Sequence, residues 1–131
     1  MGTLLKTTKK TALALIGFLL LLAAPAALQA QGEFYAAPYY YDTNSDNTVF
    51  ITGYNGPGGA VAIPTNINSL TVTDIAGDVF GGKTSLTSVT IPGSVNSIGE
   101  GAFYFCTSLT NTTICNGVTS LGGDMFISAL I

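Results

Sequence analysis

One tetrapeptide in this 131-residue chain returns at a fixed distance. Thr84-Ser85-Leu86-Thr87 recurs as Thr107-Ser108-Leu109-Thr110, 23 residues later. The same offset carries Thr90-Ile91 to Thr113-Ile114, Val95 to Val118, Ser97 to Ser120, Ile98 to Leu121 and Gly99 to Gly122. It also carries Phe80 to Phe103 and Phe103 to Phe126. Self-similarity at a period of about 20–50 residues is the mark of a solenoid, in which each repeat forms one coil stacked on the next.

Each coil follows one physical plan. In Leu86-Thr87-Ser88-Val89-Thr90-Ile91, an L-x-x-L-x-L register that ends in a short strand lets Leu86, Val89 and Ile91 point inward and Ser88 and Thr90 outward. Pro92-Gly93-Ser94 turns the chain, since proline cannot donate and glycine tolerates tight turns. Val95 and Ile98 return to the core. Gly99-Glu100-Gly101 turns again, and Ala102-Phe103 buries the largest side chain. The next coil reuses these stations through Leu109, Ile114, Val118, Leu121 and Phe126, with Thr112 in place of Val89 and Cys115 in place of Pro92. A degenerate coil comes first: Val61-Ala62-Ile63-Pro64 matches Val89-Thr90-Ile91-Pro92, Ile67 matches Val95, Ile75 matches Ile98 and Phe80 matches Phe103. Five extra residues around Asn68-Ser69-Leu70-Thr71-Val72 suggest an added short strand. The expected fold is therefore mainly β, a short solenoid of about two and a half coils over residues 59–131, cut off mid-repeat.

Two segments of other texture precede it. In residues 1–30, Lys6, Lys9 and Lys10 lead an apolar run to Ala24. Pro25 and the small residues up to Ala30 then supply a cleavage site with Leu28 and Ala30 at its −3 and −1 positions. This reads as a signal peptide, because the run falls short of the ~20 residues that a spanning helix needs. After cleavage no membrane segment is expected. Residues 31–58 read as a β-hairpin: aromatic Phe34 to Tyr41, the turn cluster Asp42-Thr43-Asn44-Ser45-Asp46-Asn47, then Thr48 to Tyr54. Pro38 makes the first strand an edge or interrupts it. The tyrosines could stack on sugar rings, but the favoured reading is a cap over the first coil, which a solenoid needs.

Composition narrows the function. The chain has no His, Arg or Trp, and without residues 1–30 a single cation, Lys83, faces seven acids, a net charge of −6. Such a chain cannot neutralise phosphates, which excludes nucleic acid as a partner and disfavours anionic lipid. The Asp/Asn cluster lacks the spacing and the distal bidentate Glu of a calcium loop, so no metal or other cofactor is expected. Cys106 and Cys115 either form one bridge in an oxidising compartment or, as favoured here, are two small buried apolar side chains.

The run Ser85-Leu86-Thr87-Ser88-Val89-Thr90-Ile91-Pro92-Gly93-Ser94-Val95-Asn96-Ser97-Ile98-Gly99-Glu100-Gly101-Ala102-Phe103-Tyr104-Phe105-Cys106-Thr107-Ser108-Leu109-Thr110 closely resembles the BspA-like (Treponema pallidum-type) bacterial leucine-rich repeat. The resemblance covers about residues 48–126. Lys83 departs from it where Cys106 stands one repeat later, as do Phe105 in place of the usual Gly and Cys115 in place of Pro. The array is also far shorter than most. The resemblance implies a leucine-rich-repeat solenoid in a secreted or surface protein that binds proteins or glycans, often as an adhesin.

Catalysis finds little footing. Without His or Arg, the usual nucleophile–base pairs are missing. Paired carboxylates for glycan hydrolysis would have to be Asp78 and Asp124, which share a repeat station but should lie two coils apart in solvent-facing turns, with Gly101 between them. The expected function is instead weak, multivalent binding of a surface protein or glycan through an uncharged, hydroxyl-rich strand face formed by Thr87, Ser88, Thr90, Thr110, Asn111 and Thr113. A second reading makes the chain a truncated remnant of a longer repeat protein with no activity of its own. The uncapped C-terminal coil also points to self-association.

Overall fold

The computed structural model describes residues 34–129. The 1–30 segment read as a signal peptide lies outside them. Within the unit Glu33–Ile131, ten strands follow in order and no helix forms among the described residues. They are β1 (Phe34–Ala36), β2 (Tyr39–Thr43), β3 (Val49–Tyr54), β4 (Gly59–Ala62), β5 (Asn66–Ile67), β6 (Leu70–Ile75), β7 (Leu86–Ile91), β8 (Ser97–Ile98), β9 (Asn111–Ile114) and β10 (Ser120–Leu121). No helix among them is long and apolar enough to cross a membrane.

The 23-residue offset becomes coil-on-coil pairing. Parallel β4, β7 and β9 form one sheet, with Val89 beside Thr112 and Ile91 beside Ile114. On another side of the coil, β6, β8 and β10 run parallel, with Ile75 beside Ile98 and Ile98 beside Leu121. The turns join in as well. The amides of Asp78, Phe80 and Gly82 donate to the carbonyls of Glu100, Ala102 and Tyr104, and those of Gly101, Phe103 and Phe105 donate to Gly123, Met125 and Ile127. Three rungs of β4, β7 and β9 make about three turns, rather than two and a half. The five-residue insertion forms a turn at Asn68-Ser69 and the start of β6, which pairs antiparallel with the preceding β5 at Leu70 and Ile67.

Inside, the alternation works as the sequence implies: Leu86, Val89, Ile91, Val95 and Ile98 are buried. The aromatic column is longer than the three phenylalanines that the repeat aligns. Tyr54 packs tilted by 39° against Phe80 at 5.0 Å, Phe80 stacks on Phe103 at 5.1 Å and Phe103 on Phe126 at 5.5 Å. Tyr54 lies in the N-terminal segment, so this segment plugs directly into the core. Its shape differs from a plain hairpin. The stretch Phe34–Tyr41 breaks at Ala37-Pro38 and folds back, so β1, β2 and β3 form an antiparallel meander. Beyond the meander β3 turns parallel to β6, which welds it to the coils. One face buries Tyr39, Tyr41, Val49, Ile51 and Tyr54 over the first coil, while Tyr35 and Tyr40 pair on the other. In the turn between β2 and β3, Thr48 donates from its hydroxyl and amide to Asp46 and holds that carboxyl below its ordinary pKa.

Two glycine types separate. Gly99 and Gly122 lie where coils touch: a Cβ on Gly99 would run into the backbone of Ala76 and Gly77, and one on Gly122 into that of Gly99 and Glu100. Gly82 and Gly101 instead adopt left-handed backbone, at φ 70° and 64°. The station recurs whatever residue fills it, since Asp78 and Asp124 flank Gly101, and Phe105 and Ser128 follow Gly82, all with positive φ. The coil geometry therefore imposes a conformation that costs a side chain about 1–2 kcal/mol, which Phe105 bears while 45% exposed.

The cysteines part company. Both are free. Cys106 is buried, as expected, and its thiol donates to the Phe80 carbonyl at 3.0 Å; burial raises its pKa. Cys115, expected in the core, is exposed, because no further coil covers its side among the described residues.

Candidate functional site

The residues singled out for binding come from neighbouring strands. Register places Ser88 beside Asn111 and Thr90 beside Thr113. Thr87, Thr90, Thr110, Asn111 and Thr113 are exposed, and Ser88 is half-buried. Thr110 lies against Thr87, its amide 3.0 Å and its hydroxyl 3.4 Å from the Thr87 carbonyl. The register that turns Leu86, Val89 and Ile91 inward leaves these groups on the outside. One coil earlier the row continues in Ala60 and Ala62, which pair with Ser88 and Thr90. The polar face is thus two coils wide and ends on an exposed methyl edge that the hydroxyl pattern did not reveal. It holds no charge and no aromatic ring. Its chemistry is hydrogen bonding from hydroxyl and amide groups held at the ~4.8 Å spacing of a parallel ladder.

A second feature joins residues that the sequence separates. Asp78, Glu100, Gly101, Tyr104 and Asp124, with Gly77, line one open hollow of about 410 Å³. Asp78 and Asp124 sit at the same station of different coils, exposed and with Gly101 between them, and both border this hollow. Gly101 has no side chain to fill the station between them, and Asp78 leans into the space: its Oδ1 lies 2.5 Å from where a Cβ on Gly101 would stand. All three carboxylate-bearing residues are exposed. Among the described residues no group of three or more His, Cys, Asp or Glu side chains is arranged to hold a metal ion. The only signal for this hollow in the sequence is the Asp–Gly–Asp alternation at one repeat station.

Comparisons with known proteins agree with the coil geometry. A family model described as BspA type leucine rich repeat region (6 copies) matches residues 62–131. The crystal structure of a T. pallidum leucine rich repeat protein superposes with a TM-score of 0.68 at 34% identity, over 74% of this chain and 46% of that one. A leucine rich cell surface protein from Faecalibacterium prausnitzii A2-165 matches with a TM-score of 0.67 at 35% identity, over 72% of this chain and 27% of that one. A leucine-rich repeat protein from Bacteroides capillosus matches with a TM-score of 0.62 at 27% identity, over 67% of this chain and 69% of that one. The chain thus spans less than half of the first two structures. No curated protein matches it.

Proposed function

From the premise that the chain belongs to the BspA-type leucine-rich repeat family, we propose that it is an exported surface protein that binds a protein or glycan weakly and multivalently, without catalysis. The face formed by Thr87, Ser88, Thr90, Thr110, Asn111 and Thr113 is the contact. The observation that carries this reading is the exposed row itself: outward hydroxyl and amide groups in register on β7 and β9, on the extended side of a solenoid. Lacking an aromatic or Arg anchor, such a face has low intrinsic affinity, so useful binding comes from many copies on one surface. Export is supported by the pattern of residues 1–30 and by the relative described as a cell surface protein. The absence of His and Arg throughout the chain favours binding over catalysis.

The test is a streptavidin-tetramerised sample on a glycan microarray and on a panel of immobilised extracellular proteins, beside untetramerised protein. The expected result is a signal that needs the tetramer and drops at least tenfold in Thr90→Asp/Thr113→Asp. A signal that ignores those two substitutions refutes the assignment of the face.

A further inference from the structure

The N-terminal meander has two faces, and both carry aromatic rings. The inner face is accounted for, since Tyr39, Tyr41 and Tyr54 are buried over the first coil. On the outer face, alternation along β2 and register across it place Tyr35, Tyr40, Asp42 and Phe50 away from the coils. Tyr35 is 53% exposed, and Tyr40, Asp42 and Phe50 are half-buried. None of these three rings belongs to the core or packs against it. The outward face of an antiparallel sheet is ordinarily polar, so the packing of the molecule does not explain them.

The outer rings are set among carboxylates. Tyr35 and Tyr40 pair with centroids 4.8 Å apart and rings inclined at 42°. Tyr40 lies over Gly53, its Cδ2 3.3 Å from where a Cβ there would stand, so the missing side chain leaves the ring its place. In the neighbouring row Phe50 stands in register between Asp42 on β2 and Asp74 on β6. Both carboxylates are held in position: Asp42 Oδ1 accepts from the Thr43 amide at 2.7 Å, and Asp74 Oδ2 accepts from the Thr73 hydroxyl at 2.8 Å. No cation of the described residues answers them. Lys83 is the only one there, and its Nζ lies over the Tyr54 ring at 5.9 Å.

We infer that the outer face of the meander docks a basic segment of a partner protein, whose Arg and Lys side chains lie on Tyr35, Tyr40 and Phe50 and pair with Asp42 and Asp74. Charge complementarity selects this occupant. A guanidinium or ammonium group is drawn to the face of an aromatic ring within about 6 Å, and a carboxylate beside the ring adds a charge-assisted hydrogen bond to the same group. The planar guanidinium suits both contacts best. An apolar partner would strip water from Asp42 and Asp74 without replacing it, and a neutral sugar would use the rings but not the charge. The net charge of −6 after residue 30 steers a basic partner toward the molecule. Lys83 over Tyr54 shows the same pairing of ammonium and tyrosine within the chain itself. This face shares no residue with the β7 and β9 row, so the inference stands apart from what that row binds.

Fluorescence anisotropy on the full chain tests this, with labelled nona-arginine as the probe and nona-glutamate and a linear neutral glucan beside it. The expected result is that nona-arginine binds and nona-glutamate does not. Affinity for nona-arginine falls roughly threefold in Tyr35→Ala and in Asp42→Asn, and Tyr35→Phe keeps it. Asp124→Asn removes the same charge elsewhere on the molecule and leaves the affinity nearly unchanged. The β signal in circular dichroism is retained throughout, since Tyr35 is already exposed and asparagine keeps an acceptor for the Thr43 amide. The inference is overturned if nona-arginine does not bind, if its binding ignores Tyr35→Ala, or if Asp124→Asn weakens it as much as Asp42→Asn does. It is equally overturned if the glucan binds in place of nona-arginine and is lost in Tyr35→Ala, which makes the face a sugar platform.

Discussion

Replacing Phe103 by alanine removes the middle ring of the aromatic column. Phe103 is fully buried and stacked on both sides, at 5.1 Å and 11° to Phe80 and at 5.5 Å and 10° to Phe126. Burying a phenylalanine and then deleting it costs about 3–5 kcal/mol, because transfer free energy is lost and the coils above and below relax only partly into the cavity. Each stacked pair contributes about 0.5–1.5 kcal/mol beyond its buried area, and this site loses two. The expected loss is therefore at the upper end, about 5 kcal/mol, most of what a domain of this size holds. Phe126 is only partly buried and stacks on one neighbour, so Phe126→Ala should cost about half as much by the same reasoning. Urea titration followed by circular dichroism reads both: Phe103→Ala is unfolded, or nearly so, without denaturant, while Phe126→Ala shifts the midpoint with an unchanged slope. If Phe103→Ala melts like the unsubstituted protein, or costs no more than Phe126→Ala, the column is not the energetic spine and the stacking account fails.

Two further outcomes follow from the geometry. Gly99→Ala should cost about 2 kcal/mol or more, since its Cβ meets the backbone of the preceding coil and the coils must part. Gly82→Ala, with open space around its Cβ and only the left-handed backbone to oppose it, should cost about 1 kcal/mol; denaturation midpoints that reverse this order refute the distinction. The Tyr39 hydroxyl has its pKa raised from 10.0 to about 12, chiefly by burial and then by the neighbouring Tyr54. The folded state therefore keeps a proton that the unfolded chain releases, so the stability this group contributes is complete below pH 10 and is lost as pH rises to 12. Thermal melts across that window should fall with pH, and less steeply in Tyr39→Phe.

The parts of the fold legible in the sequence are those that depend on position within one coil. Recurrence at 23 residues marks Leu86 and Leu109, or Phe80, Phe103 and Phe126, as equivalent stations. The L-x-x-L-x-L spacing within Leu86–Ile91 separates the buried residues from the outward Thr and Ser groups. Tyr54 escaped because it sits 26 residues before Phe80, outside the repeat, and is a different residue type. Gly99 and Gly122 read as turn glycines, since nothing local says that another coil's backbone lies against them.

What the sequence determined by itself is the coil: its length, its inward face and the β character of its strands, because these follow from local spacing and side-chain alternation. Only the tertiary structure decided what lies above and below each coil. Among the described residues it made Ile91 buried and Ile114 exposed at the same station, set Tyr54 against Phe80, and brought Asp78 and Asp124 to one hollow across Gly101. The physical reason is that periodicity reports a residue's place along the chain, whereas burial and contact depend on the neighbouring layer, which the repeat leaves unspecified.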